Sequence, residues 1–543
     1  MCIISDANYG SSRPSKHIYI HELHIQLKTA LPTMLSLLLY RIPWLVSLRF
    51  AGLMGSDALA AAALSTTLCN VTGMSWSEGF SSALTTLAGQ ARGDWLAKKP
   101  NSAETEGEEQ GLLTPNTTND PNYGSTENTE NDDEALLTLV FLYRGMFIQF
   151  LLVIPIGVWW IVGIKPILIA LGQSELLSSM TENYLRILAP GLWAYSVNWT
   201  MTCWLQAIEM ADIPAYSAVV GAVLHIPFNV LFVHVFDMGY LGVAMATVAF
   251  QVVPPLCTCL YLFCTRAGIK RVLLHCGGNS RASLPFWKEA TLALSMSGIF
   301  QYLSLALPGM VIISEWWASE SCIFLSGTLS PSPTLALDGM TIYQSLNSFC
   351  FVMSVGCSVA GSTRVSNFLG SGDFHAAIVA TKVCVSFAAV LSAGIGAILF
   401  WTPHNWYPSF FSPDEEVVAE TTKVIPLLAI YVFGDGIQAA LNGIIKGCGR
   451  QCIVMPIVVI AYWIVGVPLA YYIAFVEHDG IMCDDSYFCG VRGLVAGMAA
   501  GTYVHMVLLA LVVAGTTNWR KEAERAKERM AVDKSAQHLS DTT

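Results

Sequence analysis

The chain has 543 residues, of which 54% are apolar and 12% charged, and a formal net charge of −11. Soluble domains carry about 25% charged residues, so this composition excludes a string of ordinary soluble domains. No nucleic-acid partner is expected, and no Cys/His spacing suggests a metal site or a cofactor.

Residues 1–26 are polar and His-rich and do not resemble a short cleaved signal peptide, and 1–29 is expected as an N-terminal tail. Apolar runs of about 20 residues, enough to cross a bilayer, then recur. They are predicted at 30–52, 58–84, 137–161, 184–206, 215–236, 240–264, 300–328, 339–361, 376–402, 423–444, 453–475 and 491–515. Twelve spans predict an all-α membrane protein in two pseudo-symmetric six-helix lobes, 30–264 and 300–515. A linker, 265–299, joins them, and a tail, 516–543, follows.

Residues 97–134 interrupt the first half with ten acids against Lys98 and Lys99. The segment is Asn/Thr/Glu-rich and is expected to be a disordered loop, either regulatory or simply tolerated. Asn116-Thr117-Thr118 matches a glycosylation acceptor but falls in that loop, which should be cytoplasmic.

Basic residues cluster in alternate loops: Arg92, Lys98 and Lys99; Arg266, Lys270, Arg271, Arg281 and Lys288; Lys446 and Arg450; and the tail. The intervening loops hold Asp414, Glu415, Glu416, Glu477, Asp479, Asp484 and Asp485. The positive-inside rule then places both termini in the cytoplasm. Cys483 and Cys489 share an outer loop, where an oxidising side would allow a disulfide.

The halves look duplicated. Gly79 to Gln90 closes the second span and Gly356 to Asn367 the eighth, each followed by a Gly-rich stretch, Arg92-Gly93-Asp94 and Gly370-Ser371-Gly372-Asp373. Gly239-Tyr240-Leu241-Gly242-Val243 opens the sixth span and Gly490-Val491-Arg492-Gly493-Leu494 the twelfth. Parallel repeats of this kind are a transporter feature, with the site near the midplane. Prolines 43, 227, 254, 255, 308 and 468 fall within spans and favour kinks.

The polar residues inside the spans are the functional candidates. A mid-bilayer carboxylate costs about 2.5–3.5 kcal/mol on insertion scales, so it usually faces the protein interior and marks an ion or substrate path. Glu315-Trp316-Trp317-Ala318-Ser319-Glu320 interrupts the seventh span, with Glu315 near its middle. Five residues separate the two glutamates, about 140° of rotation on a straight helix, so Glu315 is favoured for ion coupling and Glu320 is secondary. Trp316 and Trp317 suit either a cation–π pocket or an interfacial aromatic pair.

In the tenth span Asp435 lies roughly 18 Å deep, and Tyr431, Gln438 and Asn442 share its helical face. Tyr343 and Asn347 line one face of the eighth span. Tyr195, Asn198, Thr202, His225 and Asn229 are polar but suit ordinary helix packing. Arg41, within the first span, needs a partner, and Glu78 is a candidate.

These residues resemble the multidrug and toxic compound extrusion (MATE) family, eukaryotic branch, over about residues 30–515. The resemblance rests on Glu315-Trp316-Trp317-x-x-Glu320, on Ala360-Gly361-Ser362-Thr363-Arg364-Val365-Ser366-Asn367-x-Leu369-Gly370, and on Lys446-Gly447-Cys448-Gly449-Arg450-Gln451. Gly52-x-Met54-Gly55-x-x-Ala58-Leu59-Ala60-Ala61 and Gly89-Gln90-Ala91 add to it.

The resemblance implies two six-helix lobes around a cavity. It also implies export of small organic, mostly cationic or amphipathic, compounds in exchange for H⁺ or Na⁺, with no catalytic residues. Its coupling acids match Glu315 and Asp435, and Glu320 matches a further family acid. A first-lobe aspartate of many prokaryotic members is Asn229 here. A monomer in the lipid bilayer of the plasma or vacuolar membrane is expected. A flippase for a lipid-linked substrate would want a strongly basic cavity, to which only Arg41 points. A membrane enzyme would need a clustered nucleophile, metal or His/Asp pair, which the sequence does not offer.

Overall fold

A computed structural model describes residues 16–98, 137–276, 286–483 and 485–541. The acidic segment 99–136 and its glycosylation triplet lie outside these residues. The described chain is almost wholly helical, as its apolar runs require: a backbone in hydrocarbon must satisfy its own hydrogen bonds.

The helices are α1 (Lys16–Gly52), α2 (Ser56–Cys69), α3 (Ser75–Lys98), α4 (Leu137–Val162), α5 (Ile164–Ala170), α6 (Glu175–Ala207) and α7 (Asp212–Val230). Next come α8 (Tyr240–Cys259), α9 (Arg266–Cys276), α10 (Phe286–Ala293), α11 (Met296–Ile312), α12 (Ser314–Ser326), α13 (Pro333–Ser371) and α14 (Phe374–Trp401). The last are α15 (Trp406–Phe411), α16 (Glu415–Thr422), α17 (Ile425–Gly447), α18 (Gln451–Val458), α19 (Val467–Tyr471), α20 (Val491–Gly515) and α21 (Trp519–Asp541). Short π-helical segments follow α2, α7, α8, α18 and α19. Those after α7, α8 and α18 begin within a few residues of Pro227, Pro255 and Pro456.

Among the described residues, ten helical segments are long and apolar enough to cross a membrane. The other two expected spans, 58–84 and 184–206, are also helical but too rich in hydroxyl groups to reach that hydropathy. Their polarity is used internally. Ser77 Oγ lies 2.6 Å from Ser196 Oγ and Ser81 Oγ 3.2 Å from Thr200 Oγ1, an interhelical ladder between α3 and α6. Gln149 of α4 donates to the Ser77 carbonyl at 2.7 Å and to Ser81 Oγ at 2.9 Å. Such groups hold membrane helices together where apolar burial gives no drive.

By packing, the chain divides into two compact units. One holds Met1–Ala30, Val311–Val365 and Ile378–Trp519; the other holds Leu31–Met310, Ser366–Ala377 and Arg520–Thr543. The first turns of α1 therefore pack with second-half helices, and α21 packs with first-half helices. Residues 16–29, expected as tail, are helical, and Glu22 is fully buried. Within the first unit Glu22 pairs with Arg364: Oε2 accepts from Nη2 at 2.9 Å and Oε1 from Nε at 3.1 Å. Gln26 donates to Glu22 at 3.0 Å and to the Ala380 carbonyl at 2.9 Å.

The repeated glycine motifs adopt matching backbones. Gly239 (φ 59°, ψ −141°) precedes α8 and Gly490 (φ 62°, ψ −128°) precedes α20, a conformation open to glycine. In the second unit, the ends of α3 and α13 touch backbone to backbone. A Cβ on Gly93 would collide with the Asn367 carbonyl oxygen, and one on Gly370 with that of Gln90. Gly93→Ala is expected to destabilise the protein by about 1–3 kcal/mol through overpacking. Thermal inactivation in detergent measures this, with Gly394→Ala, which meets nothing within 4 Å, as control.

Candidate functional site: a buried carboxylate cluster

The expected seventh span is interrupted only at Ile313. α11 ends at Ile312 and α12 starts at Ser314, which puts Glu315 in the first turn of α12. Ile313 itself keeps helical dihedrals (φ −69°, ψ −14°), so α11 and α12 run on as one apolar stretch, Met296–Ser326. The Trp316 amide bonds the Ile313 carbonyl at 3.0 Å.

Asp435 sits mid-way along α17, and Tyr431, Asp435, Gln438 and Asn442 are all buried along one face. α17 and α12 meet at Gln438, whose Nε2 donates to Glu315 Oε2 at 2.9 Å. The same amide lies 2.9 Å from His505 Nδ1 on α20, and His505 Nδ1 is 3.5 Å from Glu315 Oε2. His505 is fully buried, and the Tyr462 ring meets it edge-on at 5.5 Å. The Tyr462 hydroxyl lies 3.2 Å from Thr502 Oγ1.

Asp435 bears on Glu315 through space, as does the Lys446 ammonium. Ser354 of α13 flanks Asp435, and Asn347 and Thr502 flank the Tyr431 hydroxyl. The buried oxygens Asn347 Oδ1, Gln438 Oε1 and Asn442 Oδ1 have no hydrogen-bond donor.

Most of the expected site residues thus fall together. Tyr343 is buried on α13 one turn from Asn347. Trp316 packs on Phe351 at 5.8 Å. Glu320 is partly buried farther along α12, turned about 140° from Glu315, and the bonds through Gln438 do not include it. Cys483 and Cys489 form a disulfide with a Cα–Cα distance of 5.6 Å. His505 is the residue that sequence reasoning missed. A histidine mid-way along an apolar span was a readable signal.

The first-half polar residues form a separate group. The Tyr195 hydroxyl donates to Glu78 Oε1 at 2.6 Å, and Arg41 lies within electrostatic reach of that hydroxyl. Asn198 donates to the Tyr40 hydroxyl at 2.8 Å. His225 Nε2 lies 3.0 Å from both Ser47 Oγ and Asn229 Nδ2.

An all-helical membrane fold with this buried polar cluster defines the class as a multi-pass membrane transporter. The MatE family profile matches residues 32–106, 139–231 and 309–472. Protein DETOXIFICATION 13 of Arabidopsis thaliana is 30% identical over 489 residues, covering 90% of this chain and 87% of its own. Protein DETOXIFICATION 12 of Arabidopsis thaliana is 30% identical over 489 residues, covering 90% and 88%. The crystal structure of the eukaryotic MATE transporter AtDTX14 matches with TM-score 0.76 at 27% identity, covering 94% of this chain and 99% of that one. A MOP superfamily transporter from Pyrococcus furiosus shares the fold at 15% identity, with TM-score 0.71, covering 95% of this chain and all of that one.

The chain belongs to the MatE family. It is a MATE transporter for small organic compounds and not an enzyme, and it has the twelve-helix fold of that family.

Proposed function

We propose that this protein is a secondary active antiporter that exports organic cations in exchange for protons by alternating access, with Glu315 and Asp435 as the exchange site. The observation that carries the reading is the convergence of two acids, Gln438 and His505 in one buried cluster. Two ionised carboxylates buried within electrostatic reach of each other are costly, so a proton or a cation would complete the site. Open to an acidic exterior, the site takes protons and releases its cation. Open to the cytosol, it gives up protons and rebinds a cation. Each pH unit across the membrane supplies about 1.4 kcal/mol per proton.

The same reading places the termini and the basic loops in the cytoplasm, the lobes at 30–264 and 300–515, and a monomer in the plasma or vacuolar membrane. Transport in sealed proteoliposomes, with pH and Na⁺ gradients imposed separately and a panel of organic cations, tests it. A pH gradient alone is expected to drive uptake. Uptake driven only by Na⁺ would replace the proton by that ion, and uptake indifferent to both gradients would reject the antiporter.

A further inference from the structure

We propose that α21 is a releasable strap across the ends of α3, α4, α11 and α13, and that these ends separate only when it lets go. The inference rests on the alternating-access reading above.

The strap is tied at several points within one packing unit. Asp533 is fully buried against Arg144 of α4: Oδ1 accepts from Nη2 at 2.7 Å and Oδ2 from Nη1 at 3.2 Å. The same guanidinium donates to the carbonyls of Leu292 at 3.2 Å and Ala293 at 3.1 Å, so it also fixes the turn into α11. Gln301 of α11 donates to the Arg529 carbonyl at 2.9 Å, and Arg529 Nη1 donates to Gln90 Oε1 of α3 at 3.2 Å. Lys527 lies over Gly372, just past α13, about where a Cβ there would sit at 3.1 Å. Met530 joins the hydrophobic core, and Ala523 and Ala526 are buried.

The ends it crosses are those where α3 and α13 touch backbone to backbone. An ion pair adds to this closure: Arg92 Nη1 meets Glu209 Oε2 at 2.7 Å, and Asn367 donates to Glu209 Oε1 at 3.1 Å. Any motion that parts α3 from α13 must lift α21 from Gln90 or from Gly372. A pivot is at hand. The turn before α21 is held by Arg450, whose guanidinium donates to Thr517 Oγ1 at 2.7 Å and Thr516 Oγ1 at 3.0 Å. Docked, Asp533 and Arg144 satisfy each other, and breaking such a buried pair is costly unless both charges return to water.

The test uses the full chain with the exposed Cys264 and Cys452 replaced by serine, and with Gln301→Cys and Arg529→Cys joined by a short bis-maleimide. Cross-linking is expected to abolish most pH-driven uptake, because it blocks a gating motion, while each variant carrying only one of the two introduced cysteines, treated alike, keeps its rate. A cross-linked protein that transports at the rate of the untreated one overturns the strap. A second arm needs no transport. Amide hydrogen exchange of the uncross-linked chain should be clearly faster across 522–533 than across 139–144 of α4, although both stretches hold buried residues. Equal protection would also overturn the proposal. If untreated protein shows no gradient-driven uptake, the antiporter reading fails and the exchange arm alone decides the strap.

Discussion

Replacing Asp435 by asparagine is expected to bring pH-driven cation uptake down to the leak of empty vesicles, with the protein still folded and inserted. Asparagine keeps the size and hydrogen-bonding character of the side chain. It can still face Ser354, and the tight fit of α17 at Gly434 and Gly436 is unaltered. What it removes is the negative charge and the proton that charge can take. Glu315 then sits beside Gln438 and His505 with no second acid to balance. One acid could still bind a cation, but the exchange of that cation for a proton would lose the electrostatic coupling that makes the two compete. Size-exclusion behaviour and binding of a fluorescent cation, measured beside uptake, separate a broken exchange from a broken fold. Uptake by Asp435→Asn at the parent rate would mean the acid is structural. Glu315→Gln is expected to behave alike and Glu320→Gln to have a smaller effect.

The second large effect is expected from Glu22→Ala. It leaves Arg364 buried without its carboxylate, and breaking a buried pair in this way costs about 3–5 kcal/mol. The pair is as enclosed as one between core residues, with side-chain exposures of 5% for Arg364 and 0% for Glu22. Thermal inactivation in detergent should show a marked loss for Glu22→Ala. The charge swap Glu22→Arg with Arg364→Glu should recover part of it, because the geometry accepts a bidentate contact. A variant as stable as the parent would mean that the contact adds nothing net.

Much of the architecture was legible because a membrane imposes strong rules on sequence. Hydrophobic length marked the spans. The glycine motifs at 239–243 and 490–494 pointed to a duplication that the matching φ and ψ of Gly239 and Gly490 reproduce. The spans at 58–84 and 184–206 are the more polar ones, and Ser77, Ser81, Ser196 and Thr200 spend that polarity on each other.

The acids of the site were visible as charges in the wrong solvent. Their neighbours were partly visible through the helical spacing of Tyr431, Gln438 and Asn442. The break at Ile313 was not, because Pro308 and Ser314 are both compatible with a continuous helix. The partners of Arg144 and Arg364 were the least legible. They lie 389 and 342 residues away along the chain, in segments that read as polar tails. Periodicity carries no sign of a contact at that range. His505 was passed over for the opposite reason: its apolar surroundings hid it among core residues, although a lone buried imidazole in such a span invites a partner.

Proton release on binding tests the central claim most directly. Purified protein in weakly buffered detergent solution is mixed with an organic cation near neutral pH, and the pH change is recorded. Release of protons by the parent is expected, together with its loss in the Glu315→Gln/Asp435→Asn double variant. Binding of the cation by the parent with no proton released would contradict an exchange site made of these two acids.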